Sequence, residues 1–118
     1  MAIRRFLLAG VFTFVLTGVS VAQPKPTIAI IGTGDMGDSL GPKFVELGYA
    51  VIYGSRDPDG EKARAVVEIT GGNSRATTQR EAAQAGDIVV LAVPWPAMET
   101  VAQNLGSLDN KIVIDIRK

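Results

Sequence analysis

The chain has 118 residues, with 12 lysine and arginine residues balanced by 12 aspartate and glutamate residues, and it has neither histidine nor cysteine. This length allows one domain, and the balanced charge lacks the basic footprint of a nucleic-acid-binding protein. Without cysteine or histidine there is no disulfide framework, no thiol nucleophile and no Cys/His metal site. Any chemistry would depend on carboxylates, hydroxyls, lysine, arginine or a bound cofactor, and no catalytic side chain stands out.

Residues 1–22 have the pattern of an export signal. The basic pair Arg4-Arg5 precedes an apolar stretch, and the small residues Ser20 and Ala22 follow with the spacing of a signal-peptidase site. The apolar stretch is shorter than the roughly 20 residues of a membrane-spanning helix. The pattern predicts cleavage near Ala22 and export to the periplasm, with residues 23–26 as a linker and no membrane attachment afterwards. A membrane anchor and a misassigned start codon, which would leave a cytoplasmic protein, are the alternatives.

From Thr27 onward, strand patterns alternate with helix patterns. Strands are predicted at 27–31, 49–54, 75–77, 87–94 and 111–116, and helices at 36–47, 59–69, 79–85 and 96–104. Most of these strands are continuous apolar runs, which are typical of a parallel sheet covered on both faces. The alternation predicts an α/β fold with a doubly wound parallel sheet of about five strands, of the Rossmann type, across residues 27–118.

The first predicted helix contains a local conflict. Its apolar residues, which we expect to face the sheet, are Met36, Leu40, Phe44 and Leu47. Pro42 lies inside this helix and cannot donate a hydrogen bond to the carbonyl of Asp38. Because the apolar pattern continues past Pro42, we expect a bent or short first turn and not a missing helix.

A G-x-G-x-x-G motif directly follows the first predicted strand. Its residues, all predicted to bind the pyrophosphate of a dinucleotide, are Gly32, Thr33, Gly34, Asp35, Met36 and Gly37. The three glycines would provide a tight turn, a close approach of the backbone to the phosphates and close packing of the helix, whose N-terminus favours anions. Asp35 would repel phosphate, so we expect it to turn outward and cap the helix. A tight turn that binds nothing is the alternative interpretation.

The end of the second predicted strand indicates which dinucleotide binds. An NAD site usually places Asp or Glu here, to hold the ribose 2′-hydroxyl. This chain instead has Ser55 and Arg56, a hydroxyl and a planar cation that suit a 2′-phosphate, so the sequence favours NADP(H). Alternatively, Arg56 would only pair with Asp57 or Asp59 on the surface.

The segment Ala92-Val93-Pro94-Trp95-Pro96 lies at the end of the fourth predicted strand. Ligands of this fold bind beyond the carboxyl ends of the strands, so this segment is expected to border the cofactor, with Val93, Pro94 and Trp95 as its binding residues. Trp95 could stack on a ring of the cofactor or substrate, or it could cap the end of the sheet. Thr77 and Thr78, after the third predicted strand, could line the adenine side.

These motifs carry a family resemblance. The sequence IGTGDMG, followed by YGSRDP and LAVPW, resembles the coenzyme F420 (deazaflavin)-dependent NADP reductases. It is also similar to the N-terminal domains of pyrroline-5-carboxylate reductases and to the reductase domains of membrane ferric reductases. The resemblance covers about Thr27 to Asp115. It implies that Ser55 and Arg56 grip the NADP 2′-phosphate and that hydride passes between NADPH and a deazaflavin, or a flavin or small-molecule redox substrate.

Two departures from that family affect the interpretation. Such reductases continue beyond the fifth strand, so we expect this chain to contain the nucleotide-binding half and to leave the fifth strand as an open edge. Either a second copy of the chain or a partner subunit pairs with that edge, or the sequence is a truncated reading frame. The family also does not normally carry an export signal. A non-catalytic, exported nucleotide-binding module that needs a partner for activity is therefore the alternative function.

Overall fold

The computed structural model describes residues 24–116, so the predicted export signal at 1–22 lies outside the described residues. Strands and helices alternate through this part of the chain. They are β1 (Ile28–Ile31), α1 (Asp35–Glu46), β2 (Val51–Ser55), α2 (Glu61–Thr70), β3 (Ser74–Thr78), α3 (Gln79–Ala85), β4 (Ile88–Leu91), α4 (Trp95–Asn104) and β5 (Ile112–Asp115). Between residues 24 and 116, no helix is long and apolar enough to cross a membrane.

The strands form one parallel sheet in the order β3-β2-β1-β4-β5. The first strand is central, and its Ile28 pairs with Val51 on one side and with Ile88 on the other. This arrangement confirms the predicted Rossmann-type fold with five strands. The strand order reverses between β1 and β4, and a doubly wound sheet opens its ligand crevice at that point.

Helices cover both faces of the sheet, which explains the continuous apolar runs of the strands. On one face, Ala29 and Ile31 of β1 belong to a core cluster that includes residues of α3 and α4. On the other face, Ile28, Ile30 and Tyr53 pack with residues of α1 and α2. Each central strand therefore buries successive side chains in opposite directions.

The first helix packs on the sheet through glycine, which corrects part of the predicted apolar face. Gly37 and Gly41 are the buried residues of α1. Leu40 and Phe44 pack against the core as predicted, but the exposed fractions are 36% for Met36 and 61% for Leu47. The prediction for Met36 and Leu47 was wrong because the small glycines let the helix approach the sheet along a different line. The helix itself continues through Pro42 to Glu46.

The third strand is longer than its sequence indicated. We predicted a short strand at 75–77, whereas β3 comprises Ser74–Thr78 and pairs with β2 along its whole length. At its end, the Thr78 hydroxyl caps α3 by accepting a hydrogen bond from the Glu81 N–H at 3.2 Å, and Thr77 donates to the Glu81 carboxylate. Thr77 and Thr78 thus stabilise the start of α3, and their contact with adenine stays a prediction.

Candidate functional site

Gly32 forms the tight turn at the end of β1, and the protein itself requires a glycine there. Its φ of +118° is one that other residues rarely adopt, and a Cβ atom would lie 2.6 Å from the carbonyl oxygen of Ala92. Its N–H donates to the carbonyl of Gly54 at 2.9 Å. The turn is therefore fixed between β2 and the segment after β4.

Gly37, the third glycine of the motif, lets α1 approach the sheet. A Cβ atom at this position would lie 3.1 Å from the carbonyl oxygen of Gly32 and 3.3 Å from Cγ2 of Ile30. These distances are tighter than ordinary van der Waals contact. The predicted role of Gly37 in close helix packing agrees with this geometry.

The fold does not require a glycine at Gly34, the middle glycine of the motif. It is the N-cap of α1, and its φ of −89° and ψ of −174° are extended backbone angles that any residue adopts. A Cβ atom there would meet no other atom of the described chain within 4 Å. Gly34 instead leaves open space in front of the first N–H groups of α1, which have no partners inside the helix.

A cleft with a volume of about 350 Å³ opens beside Gly34. Its lining residues are Gly34, Asp35, Met36, Ala92, Val93, Pro94, Trp95, Pro96 and Ile116. The fold thus brings together the glycine loop and the segment after β4, as the sequence predicted. Gly32, Thr33, Gly37, Ser55 and Arg56 do not line this cleft; the first three frame the loop, and the other two lie at the neighbouring strand end.

All five residues of the predicted segment 92–96 line the cleft, and sequence reasoning missed one lining residue, Ile116. Ile116 follows β5, which is next to β4 in the sheet. The rule that ligands bind at the carboxyl ends of strands could have identified Ile116, had the position of β5 in the strand order been used.

The first turn of α1 carries two carboxylates, Asp35 and Asp38. Asp35 is exposed, as predicted, but it also lines the cleft, and the predicted capping role was wrong because Gly34 occupies the cap position. Oδ1 of Asp38 is buried without a hydrogen-bond partner among residues 24–116. Burial, and then the nearby charge of Asp35, raise the pKa of Asp38 above its usual value. The helix dipole stabilises negative charge at the start of α1, but the same charge repels a bound phosphate.

Ser55 and Arg56 lie next to the glycine loop, on its β2 side. Ile31 pairs with Gly54, so Ser55 follows beside Gly32 in the sheet. Ser55 is buried, and its hydroxyl accepts a hydrogen bond from the Asp57 N–H at 3.1 Å. Arg56 is exposed, and its guanidinium has no ion-pair partner among residues 24–116. The surface pair with Asp57 or Asp59 is therefore not formed within this part of the chain.

The family comparison covers the residues that form this site. Residues 27–118 match the family described as NADP oxidoreductase, coenzyme F420-dependent. The F420-dependent NADP reductase of Methanothermobacter thermautotrophicus is 40% identical to the chain, over 75% of this chain and 41% of that protein. The metalloreductase STEAP3 of Rattus norvegicus is 26% identical, over 81% of this chain and 19% of that protein. The chain thus spans less than half the length of these curated relatives.

Solved structures share the fold. A candidate F420-dependent NADP reductase from Arthrobacter sp. FB24 superposes with a TM-score of 0.71 at 25% identity, over 80% of this chain and 46% of that one. The NADP-bound pyrroline carboxylate reductase of Plasmodium falciparum superposes with a TM-score of 0.62 at 19% identity, over 81% and 35% of the two chains. With its glycine loop, its cleft and its match over residues 27–118, the chain belongs to the family of coenzyme F420-dependent NADP oxidoreductases.

Proposed function

We propose that this chain is the NADP(H)-binding domain of an oxidoreductase that passes hydride between NADPH and a deazaflavin. Family membership and the cleft between the glycine loop and the segment after β4 support this function. The 40% identical relative is an F420-dependent NADP reductase. Because the chain spans 41% of that relative, the complete reaction is part of the proposal.

The observation that carries the proposal is the open space at Gly34. The protein's own geometry explains Gly32 and Gly37, whereas a side chain at Gly34 would touch nothing within 4 Å. A pyrophosphate that contacts the backbone would explain the glycine, because a Cβ atom would stand between the phosphates and the N–H groups of the first turn of α1. A turn that binds nothing would leave Gly34 without a reason.

Ser55 and Arg56 are the residues proposed to hold the 2′-phosphate. Ser55 ends β2 and Arg56 follows it, on the side of the loop where the adenosine ribose of a dinucleotide lies. The Ser55 hydroxyl accepts from the Asp57 N–H, so its own proton can be donated to a phosphate oxygen. The exposed Arg56 can form a bidentate contact with the same phosphate.

The apolar wall of the cleft suits the planar rings of the two cofactors. Met36, Val93, Trp95 and Ile116 contribute apolar surface to the lining, and Trp95 is 61% exposed at the start of α4. Bound NADPH would supply a hydride, that is, one proton with two electrons, and the acceptor would take one further proton from water. The side chains of the cleft would orient the rings, and none of them needs to act as an acid or base because water supplies the proton.

Gly34→Ala tests the proposal, with Gly32→Ala as the matched variant. Calorimetric titration of the full chain with NADPH should show binding that Gly34→Ala weakens at least tenfold, which corresponds to about 1.4 kcal/mol. The same substitution should change the free energy of unfolding by less than about 1 kcal/mol, because the backbone angles suit alanine whereas alanine is a poorer N-cap residue than glycine. Gly32→Ala should instead destabilise the fold, because its φ is +118° and its Cβ atom would collide with Ala92.

Two results would contradict the proposal: no NADPH binding by the folded wild-type chain, or equal NADPH affinity in Gly34→Ala and wild type. If NADPH binds but the chain does not reduce a deazaflavin, the nucleotide assignment holds. The remainder of the site would then have to come from another polypeptide, which is the alternative function stated above.

We also propose export to the periplasm, on the sequence of residues 1–22 alone. The basic pair, the apolar stretch and the small residues before Gln23 support it. Mass spectrometry of the protein from fractionated cells should find a chain that begins near Gln23 in the periplasmic fraction. An uncleaved chain in the cytosolic fraction would contradict export.

A further inference from the structure

The cleft beside Gly34 has one charged side chain among its described lining residues, and that side chain is negative. The charged residue is Asp35, and the other eight lining residues are apolar residues, prolines or glycine. Asp35 is exposed, and its carboxylate forms no hydrogen bond or ion pair among residues 24–116. An exposed carboxylate is ionised at neutral pH. The described lining therefore places a negative charge at the cleft that no lining cation offsets.

The strand order determines which half of a dinucleotide meets this charge. Under the proposed function, on which this inference rests, the adenosine half lies on the β2 side of the glycine loop. β2 and β4 flank β1 on opposite sides. A dinucleotide binds across the point where the strand order reverses, so its nicotinamide half extends toward β4. The cleft opens on that side, between the start of α1 and the segment that follows β4.

The two redox states of the nicotinamide ring differ in charge. The reduced ring is neutral, and loss of a hydride, one proton with two electrons, to the deazaflavin proposed above leaves the oxidised ring positively charged. A carboxylate attracts a nearby cation more strongly than a neutral group. Aromatic faces also attract cations, so Trp95, which is 61% exposed and lines the same cleft, does not oppose this preference.

The phosphates do not differ between the two redox states. Asp35 repels the pyrophosphate of NADP+ and of NADPH equally, because both nucleotides have the same phosphate groups. The ratio of the two affinities therefore cancels that repulsion. What remains in the ratio is the effect of Asp35 on the ring.

We propose that Asp35 makes the cleft selective for the oxidised, cationic ring, so that NADP+ gains affinity relative to NADPH. A ligand that binds more tightly in its oxidised form has a lower reduction potential when bound than when free. Bound NADPH is then a stronger hydride donor than free NADPH. The selectivity of Asp35 thus favours the direction in which this domain oxidises NADPH and the acceptor is reduced.

Calorimetric titration of the full chain with NADP+ and with NADPH, in 20 mM salt, measures the ratio of the Kd for NADPH to the Kd for NADP+. Asp35→Asn should lower this ratio by about two- to fivefold, because NADPH binds more tightly while NADP+ loses the attraction between the carboxylate and its ring. A fivefold change corresponds to about 20 mV in the potential of the bound couple, at about 30 mV per tenfold for two electrons. In 300 mM salt the wild-type ratio should fall toward that of Asp35→Asn.

Two further variants separate the charge from its position. Asp35→Glu keeps a negative charge at the cleft and should keep the ratio within about 1.5-fold of wild type. Asp38→Asn removes a carboxylate from the same helical turn, but Asp38 does not line the cleft. This variant should therefore change both affinities by a similar factor and leave the ratio as it is in wild type.

If Asp35→Asn changes the affinities for NADP+ and NADPH by the same factor, the selectivity assigned to Asp35 is overturned while the proposed function stands. An equal fall of the ratio in Asp38→Asn would also overturn it, because the effect would then come from the helix start in general. Circular dichroism shows whether each variant folds. If Asp35→Asn does not fold, a wild-type ratio that is the same in 20 mM and 300 mM salt overturns the selectivity. A folded wild-type chain that binds neither form contradicts the proposed function and this selectivity together.

Discussion

The phenol oxygen of Tyr53 on β2 lies 2.6 Å from Oγ1 of Thr70 at the end of α2. Both side chains are buried, and the Tyr53 hydroxyl also lies 3.4 Å from the carbonyl oxygen of Gly37, to which it can donate. Gly41 leaves room for this hydroxyl, since a Cβ atom there would lie 1.6 Å from it. Burial raises the pKa of Tyr53, the hydrogen bond from Thr70 lowers it, and the charge of Asp38 raises it again. One hydroxyl thus connects β2, α2 and the helix that follows the glycine loop.

Tyr53→Phe should lower the free energy of unfolding by about 1–3 kcal/mol, because it leaves the buried Thr70 hydroxyl without a partner. Urea denaturation measures this loss. Tyr49→Phe is the matched control, because Tyr49 is half-buried and its phenol oxygen has no hydrogen bond among residues 24–116. The control should change stability by less than about 0.5 kcal/mol. Equal effects of the two substitutions would show that the buried hydrogen bond does not stabilise the fold.

Asp38→Asn should stabilise the chain at neutral pH. Because the pKa of Asp38 is raised on folding, the folded state holds this proton more tightly than the unfolded state. Stability from this group is therefore complete below the unfolded pKa of 3.8 and decreases as the pH rises above it. The neutral asparagine avoids that loss, so its advantage at pH 7 should disappear toward pH 3. Denaturation curves at the two pH values would refute this account if wild type were equally or more stable at pH 7.

Asp35→Asn should change nucleotide affinity and stability in opposite directions. Removing a negative charge from the lining of the cleft should strengthen NADPH binding by about 0.5–1 kcal/mol, or two- to fivefold, at low ionic strength. The same change removes a favourable charge from the start of α1 and should cost about 0.3–1 kcal/mol of stability. Calorimetry in 20 mM and 300 mM salt should show the affinity gain shrinking as salt screens it. An unchanged affinity at low salt would place the phosphates away from Asp35.

Local patterns predicted most of the fold because strand runs such as IAII and IVVL are apolar throughout, and because Gly48 and Gly71 mark helix ends. β3 was underestimated because its sequence, SRATT, has one apolar residue, and its full length comes from pairing with β2. Residue propensity and hydrophobic periodicity each describe one segment of the sequence at a time. They cannot show that a neighbouring strand supplies hydrogen-bond partners for a polar segment.

The site was predicted less completely than the fold. The G-x-G-x-x-G spacing indicated the loop, but it could not show that Gly32 and Gly37 are needed by the protein while Gly34 faces open space. That difference depends on Ala92, which is distant from Gly32 in sequence, and on Ile30, which lies on a different element from Gly37. The prediction that Asp35 caps α1 was wrong for a related reason. The helix begins one residue earlier than expected, so Gly34 occupies the N-cap position.

The proposed preference for NADP(H) rests on Arg56 at the end of β2. Because a charge-assisted hydrogen bond contributes about 1.5–3 kcal/mol, Arg56→Ala should weaken NADPH binding by about 10- to 150-fold. NADH lacks the 2′-phosphate, so its affinity should not change. Arg75→Ala provides the control, because Arg75 is exposed near the amino end of β3, at the far edge of the sheet from the cleft.

The most direct test is therefore parallel calorimetric titration of wild type, Arg56→Ala and Arg75→Ala with NADPH and with NADH. We predict that wild type and Arg75→Ala bind NADPH more tightly than NADH, and that Arg56→Ala loses most of that preference. A folded wild-type chain that binds neither nucleotide would contradict the proposal that this chain is an NADP(H)-binding domain. Binding with the same affinity for both nucleotides in all three proteins would remove the role assigned to Arg56.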